Sequence, residues 1–542
     1  MKTRALVVGL DSAPLRLLVP WIKKGYLPNL AKIIGGGASG DLYSAIPVTP
    51  VAWSSIYTGL NPGRHGILGF MNHRPGTYGD FAVNSTLRDG RDLWEVAGSY
   101  GRKVVVVNAP LSYPPRPVNG YLVCGFMAPG TEHEFTYPPS LSGEIRKVFP
   151  GYRLGTAPVH LKGKYLRELI ETVRMVGGTA AHLMKQVDWD LAFVVFKETD
   201  EVQHSFYDRP ESMLALYREV DRQVEELLVE AGDQTYTFVV SDHGGEPFTK
   251  RFNVADFLRR SGYVKVRPAR RSVAGSVFRG AARAVSAARM EWIFDVPGAK
   301  ALVQALIRAR VSSLGPDSGD GFMGGVIDWS NTIAFISSGV GLRLNVKGRE
   351  PQGCIELEDY RAVLEKIASE LAALRDPENG HTVFRHSLPR DKVLSGPHLE
   401  EAPDILVLPD EGYLPTEALA SFDPLTLSNP EGALFSKKSP WSGTHSPFGV
   451  FAASGPGVRN GSVEGARLED VAPTVLYAMG LPVPQGLDGR VLTDAFTAEH
   501  LESHPLTWEG GVEPSGSVVP RQLSKDEERK IEERLKSLGY LS

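Results

Sequence analysis

Short runs of consecutive apolar, often β-branched residues recur along the chain, and several run straight into polar residues. Ala5 to Gly9 leads into Leu10-Asp11, and comparable runs lie at Lys103 to Val107, Leu191 to Phe196, Tyr236 to Val240, Ile405 to Leu408 and Val450 to Ala453. An unbroken apolar run of this length is the pattern of a strand buried on both faces of a parallel sheet. Between the runs, Leu166 to Val187 and Met213 to Leu228 read as helices. Asp359 to Leu374 reads as an amphipathic helix, with Tyr360, Val363, Leu364, Ile367, Leu371 and Leu374 at helical spacing. Alternation of the two patterns predicts a doubly wound α/β sheet, mostly parallel and flanked by helices.

In such sheets ligands bind beyond the carboxyl ends of the strands. Here those ends read Asp11, Asn108, Glu198 and Asp200, and Asp242-His243. The pattern changes from about Val266 to Phe322, where Arg267, Arg270, Arg271, Arg279, Arg283 and Arg289 punctuate an Ala-rich helical stretch, followed by Val303 to Val311 and a Gly/Ser/Asp loop. The expected organisation is a core over 1–265, an inserted helical cap over 266–325, the rest of the core over 326–500, and a tail over 501–542. Within that tail a Gly/Pro/Ser-rich linker precedes a charged helix from Ser524 to Leu538, with Ser524 and Glu527 spaced as a capping box.

Composition narrows the function. The chain has 542 residues, 42% hydrophobic and 23% charged, which is ordinary for a globular protein and excludes a disordered or collagen-like chain. Its formal net charge of -4 offers no global positive field for nucleic acid. Two cysteines far apart, Cys124 and Cys354, form neither a zinc nor a redox motif. No apolar run reaches the roughly 20 residues of a membrane span, and Asp11 interrupts the only stretch resembling a signal segment, so a cytoplasmic protein is expected. The basic cap is a candidate for weak membrane contact, although a solvated arginine-rich face is the plainer reading. Gly35 to Gly40 matches a dinucleotide-binding spacing, but it follows a helical pattern and precedes a strand, the reverse of what that motif requires.

The strongest chemical signal is a dispersed set of metal-binding residue types. Asp11 ends the first strand; Asp200 and His204 lie four apart; Asp242-His243 sits in Ser241-Asp242-His243-Gly244-Gly245; His445 sits in Gly443-Thr444-His445-Ser446-Pro447. Three carboxylates and three imidazoles suit two borderline divalent ions, zinc first, with manganese or iron accepted by the same donors. Two such ions about 3.5–4 Å apart can clamp the attacking and leaving oxygens of a displacement at phosphorus. Thr49, before Pro50 at a strand-to-helix turn, is a candidate nucleophile. Singly, each residue has a plainer reading: Asp-His-Gly as a turn, His204 as a surface or core histidine, Thr49-Pro50 as a helix cap. Their co-occurrence at strand ends is what favours a site.

The set resembles the alkaline phosphatase superfamily, most closely its type I phosphodiesterase and nucleotide pyrophosphatase branch, from residue 5 to about 495. The resemblance rests on Gly9-Leu10-Asp11, Leu27-Pro28-Asn29-Leu30, Thr49 with Thr58-Gly59-Leu60-Asn61-Pro62-Gly63-Arg64-His65-Gly66-Ile67, and Ser241-Asp242-His243-Gly244. It continues through Ile327-Asp328-Trp329-Ser330, Gly348-Arg349-Glu350-Pro351, Ala402-Pro403-Asp404, His445 and Asp470-Val471-Ala472-Pro473-Thr474. It implies an alkaline-phosphatase-like fold in which Asp11, Thr49, Asp242 and His243 surround one metal and Asp200, His204 and His445 hold the other. It also implies that Thr49 attacks the phosphoryl group, giving a phosphothreonine that water then releases.

Where the nucleotide pyrophosphatases carry an asparagine that holds a phosphoryl oxygen, this chain has Phe70. Asn72 and Asn108 are the candidate substitutes for substrate binding. The expected activity is hydrolysis of a small phosphoester of nucleotide or phospholipid-headgroup type. A phosphate monoesterase or phosphosugar mutase is the enzymatic alternative, and a non-catalytic phosphoryl-ligand-binding protein the alternative of another class. A sulfatase is disfavoured, because Thr49-Pro50-Val51-Ala52-Trp53 lacks the formylglycine motif.

Overall fold

The computed structural model describes residues 3–156, 162–267, 327–338, 341–416, 434–437, 441–509 and 520–541. Among the described residues the central sheet has ten strands, β1 (Ala5–Leu10), β2 (Ala38–Tyr43), β3 (Val104–Ala109), β4 (Gly120–Cys124), β5 (Thr136–Tyr137), β6 (Leu191–Phe196), β7 (Tyr236–Val240), β8 (Phe448–Ser454), β9 (Gly461–Ser462) and β10 (Ala466–Arg467). Their order is β9-β2-β8-β7-β1-β6-β3-β4-β5, with β10 also paired to β2. The block β7-β1-β6-β3-β4 is parallel, as its unbroken apolar runs predict. Strands β1, β3, β6 and β7 are buried at every position, so both faces of the sheet are covered.

Two of the predicted strands sit differently from the expected plan. β8 runs antiparallel to both neighbours, and Ile405–Pro409 belongs to a separate antiparallel sheet with Ala334–Ser337, Gly341–Leu344 and Phe384–Pro389. Apolar periodicity reports burial and is blind to strand direction and partner. The predicted amphipathic helix, observed over Tyr360–Ala372, buries Leu364, Ile367 and Leu371 and packs on this second sheet.

Helices α1 (Thr49–Thr58), α2 (Lys162–Gln186), α3 (Glu198–Phe206) and α4 (Pro210–Ala231) flank the central sheet, and α5 (Lys525–Leu538) closes the described chain. α5 has the expected capping box between Ser524 and Glu527, and it buries Ile531, Leu535 and Leu538. The glycine run at 35–37 joins a helix, Pro28–Ile34, to β2. Gly37 is required there, because a Cβ would lie 1.9 Å from the Ala453 carbonyl oxygen.

The predicted cap falls almost entirely on residues 268–326, outside the described residues. The chain on either side of that segment meets in one backbone bridge, Val266 to Ile327. Among the described residues no helix is long and apolar enough to cross a membrane, and both cysteines are free thiols.

Candidate metal and phosphoryl site

The carboxyl ends of the adjacent strands β7, β1 and β6 deliver Asp242, Asp11 and, through the first turn of α3, Asp200 to one place. All three are fully buried. Three carboxylates buried together are mutually repulsive and poorly solvated, which calls for compensating cations. The consequence appears in their acidities. Burial pushes Asp11 up to about 7 and Asp242 well above the carboxylate range. For Asp200 burial acts the same way, but the nearby His204 and Lys197 outweigh it and hold the acid well below its ordinary value.

His243 follows Asp242 directly. His204 lies one helical turn after Asp200 on α3, and His445 comes from the strand Gly443–Ser446, which pairs antiparallel with Gly244–Pro247. That pairing places His445 over His243, with ring centroids 4.0 Å apart. In each imidazole Nδ1 faces a backbone carbonyl: His204 to Gly443 at 3.1 Å, His243 to Gly244 at 3.2 Å, and His445 to Pro47 at 2.8 Å. A carbonyl oxygen can only accept, so each Nδ1 carries hydrogen and, in the neutral ring, each Nε2 presents a lone pair.

Those lone pairs converge. His204 Nε2 and His445 Nε2 are 3.0 Å apart, and Asp200 Oδ1 lies 3.2 and 3.3 Å from them. His243 Nε2 lies 3.2 Å from Asp242 Oδ2 and 3.7 Å from Asp11 Oδ1. Asp11 Oδ1, Asp200 Oδ1, Asp242 Oδ2 and His243 Nε2 are all buried without a hydrogen-bond partner among the described residues. Facing acceptors with no shared proton are unfavourable unless a cation lies between them. The donor set therefore fits divalent metal. Asp11, Asp242 and His243 present ligand atoms within 4.8 Å of one another, and so do Asp200, His243 and His445, so His243 is within reach of both groups.

Thr49 is the first residue of α1, fully buried, with its hydroxyl unpartnered among the described residues. The helix cap is Val48, so the reading of Thr49 as a capping residue is excluded. One turn further on the same face, Trp53 donates its indole N–H to Asp11 Oδ2 at 3.0 Å. Room for that indole is left by Gly9, where a Cβ would come within 2.5 Å of the Trp53 ring. The carbonyl of Pro47, two residues before Thr49, orients His445. The nucleophile candidate is thus tied to both halves of the cluster.

Asn72 and Asn108 are both buried and hydrogen-bonded to backbone. Asn72 accepts from Leu68 N–H and donates to the Gly66 carbonyl, and Asn108 donates to the Val195 carbonyl at 2.8 Å. Neither amide is hydrogen-bonded to a member of the cluster among the described residues. Phe70 packs against Tyr540 in a tilted arrangement, with ring centroids 4.9 Å apart.

Sequence reasoning passed over three residues at the site. Trp53 lies in a largely apolar stretch and nothing in the local pattern tells it apart from core. Lys197, at the end of β6, donates to Asp200 Oδ2 and, at 3.0 Å, to the Tyr540 hydroxyl. Tyr540, just past α5, donates to the same Asp200 oxygen. Lys197 could have been noticed as a cation at a strand end, but nothing local marks Tyr540.

The fold is alkaline-phosphatase-like. Phosphonoacetate hydrolase from Sinorhizobium meliloti 1021, solved with phosphonoacetate and with phosphonoformate, superposes with TM-scores of 0.52 and 0.51 at 16% identity, covering 88% of this chain and 95% of that one. Human ectonucleotide pyrophosphatase / phosphodiesterase 5 aligns over 92% of this chain and 100% of its own, with TM-score 0.49 and 11% identity. No curated protein matches the sequence. The family model for type I phosphodiesterase / nucleotide pyrophosphatase matches residues 5–421, and the chain belongs to that family of phosphoester hydrolases.

Proposed function

We propose that this chain is a divalent-metal-dependent phosphoester hydrolase of phosphodiesterase or pyrophosphatase type, with Thr49 as nucleophile. The observation that carries the reading is the convergence of three imidazole Nε2 atoms, each locked by an Nδ1–carbonyl bond, with three buried carboxylates, while α1, which ties to Asp11 through Trp53, begins at Thr49 with a buried hydroxyl unpartnered among the described residues. Asp200, His204 and His445 would hold one ion, and Asp11, Asp242 and His243 with Thr49 the other; zinc is the first choice, and manganese or iron suits the same donors. Bound there, such ions supply positive charge to the phosphoryl oxygens and to the attacking and leaving oxygens.

The chain's own residues then have separate tasks. Thr49 Oγ1 forms a bond to phosphorus as the ester oxygen departs with a proton equivalent to the one Thr49 loses. Water then bonds to phosphorus, the P–Oγ1 bond breaks, and a proton from that water restores the Thr49 hydroxyl, so one water is consumed per ester cleaved. Trp53 fixes Asp11 through its indole N–H. Burial excludes bulk water from the carboxylates and strengthens every charge interaction around phosphorus. The substrate class we favour is a small phosphodiester or pyrophosphate of nucleotide or phospholipid-headgroup type.

The test compares metal-loaded wild type and Thr49→Ala on bis-p-nitrophenyl phosphate and p-nitrophenyl phosphate. Faster release from the diester is expected, falling by roughly 10⁴-fold or more in the variant. Because the hydroxyl makes no hydrogen bond among the described residues, the variant should unfold within about 1 kcal/mol of wild type. Full activity in Thr49→Ala would remove the nucleophile. A monoester preference would move the protein to the monoesterase or mutase class, and ligand binding without turnover would make it a binding protein.

A further inference from the structure

The C-terminal helix ends against the candidate metal site, and the manner of its ending is specific. Gly539 terminates α5 in the left-handed region, φ 82°, and the N–H of Tyr540 returns to the Leu535 carbonyl at 2.9 Å. A Cβ on Gly539 would also stand 2.6 Å from the Trp441 ring, so glycine is required there for its backbone conformation and for space. The turn projects Tyr540 inward, onto Phe70 and Phe126, with its ring edge-on to His204 at 5.7 Å.

The Tyr540 hydroxyl donates to Asp200 Oδ2, and the Lys197 ammonium donates to that oxygen as well. The other oxygen, Oδ1, is the one that faces His204 and His445 and has no hydrogen-bond donor among the described residues. The carboxylate is therefore divided by function: one oxygen is anchored by two donors, and the other is left for a cation. Outer partners of this kind fix a ligand's orientation and its basicity.

Resting on the metal-dependent reading above, we infer that Tyr540 is a positioning residue of the metal centre, and that docking of α5 completes the Asp200, His204 and His445 site. The helix is held for this purpose by Ile531, Leu535 and Leu538, which pack with Val51, Leu68 and Phe70. Tyr113 adds a hydroxyl bond to Glu527 at the first turn of α5. The aromatic at position 70 belongs to the same device, since it forms the wall on which Tyr540 rests.

The test uses the full chain with Co²⁺ and Zn²⁺, measuring affinity by chelator competition and the visible spectrum of bound Co²⁺. Tyr540→Phe keeps the ring packing and removes only the hydroxyl. It should weaken one of two metal equivalents by roughly 10–100-fold and alter the Co²⁺ spectrum, while the metal-free protein keeps a single cooperative unfolding transition. Gly539→Ala keeps the hydroxyl but displaces it, and should reproduce the loss. Unchanged affinity and spectrum in Tyr540→Phe would overturn the inference, as would tighter binding, which would make the tail an obstruction. Wild type that binds no divalent metal would overturn the functional reading itself, and this inference with it.

Discussion

Trp53 Nε1 donates to Asp11 Oδ2 at 3.0 Å across the boundary between a helix and a strand, four residues after the candidate nucleophile. The bond leaves Asp11 Oδ1 facing His243 and ties the register of α1 to the end of β1. Trp53→Phe keeps most of the buried aromatic surface and deletes the donor. The expected result is a loss of about 10–100-fold in affinity for the metal held by Asp11, Asp242 and His243. Chelator competition checks it, and wild-type affinity would reduce Trp53 to packing.

Asp404 holds the second sheet rather than the chemistry. Arg349 grips both of its oxygens at 2.8 and 2.6 Å, Tyr360 donates at 2.8 Å, and the Leu344 amide at 2.7 Å, with Arg390 close by. The Arg349 and Glu350 motif and the Ala402-Pro403-Asp404 motif are therefore two sides of one buried ion-pair network. Asp404→Asn leaves buried cationic charge uncompensated and should cost about 3–5 kcal/mol in denaturant unfolding. Activity under folding conditions should persist, and a variant as stable as wild type would contradict this account.

His398 donates through Nδ1 to Glu401 at 3.0 Å and through Nε2 to Asp89 at 2.8 Å. Glu401 first, then Asp89, push it up to about 9 against the opposing effect of burial. A raised folded value favours the folded state fully below the ordinary histidine value of about 6.5, and the benefit disappears as pH rises through about 9. Both carboxylates are about half exposed, so screening limits the gain to about 1 kcal/mol. His398→Gln should be less stable than wild type at pH 6 and equal to it at pH 10. Unfolding curves that stay equally separated at both values would refute the titration.

The sequence was most readable where local pattern and global role coincide. Leu191–Phe196 and Tyr236–Val240 are strands with the predicted bounds, because burial on both faces demands apolar residues without interruption. The carboxylates and imidazoles at those strand ends stand out in the sequence for the related reason that a buried acid or imidazole there has few structural excuses. Other motifs proved to hold the fold. Asn29 and the Leu30 amide are bound by Asp221, and Asp470 accepts from the Arg467 and Arg490 amides. Tyr540 was illegible because its partner Asp200 lies 340 residues away, and only tertiary folding makes them neighbours.

The bridge between Val266 and Ile327 has a consequence for how this family member can vary. A segment that departs and returns through adjacent backbone positions can change length without shifting the strands on either side. Closing a longer loop costs only about 0.6 kcal/mol for each doubling. The bridge is thus a socket: what is plugged in there can be exchanged or resized by evolution or engineering, while Asp242 upstream and His445 downstream keep their registration.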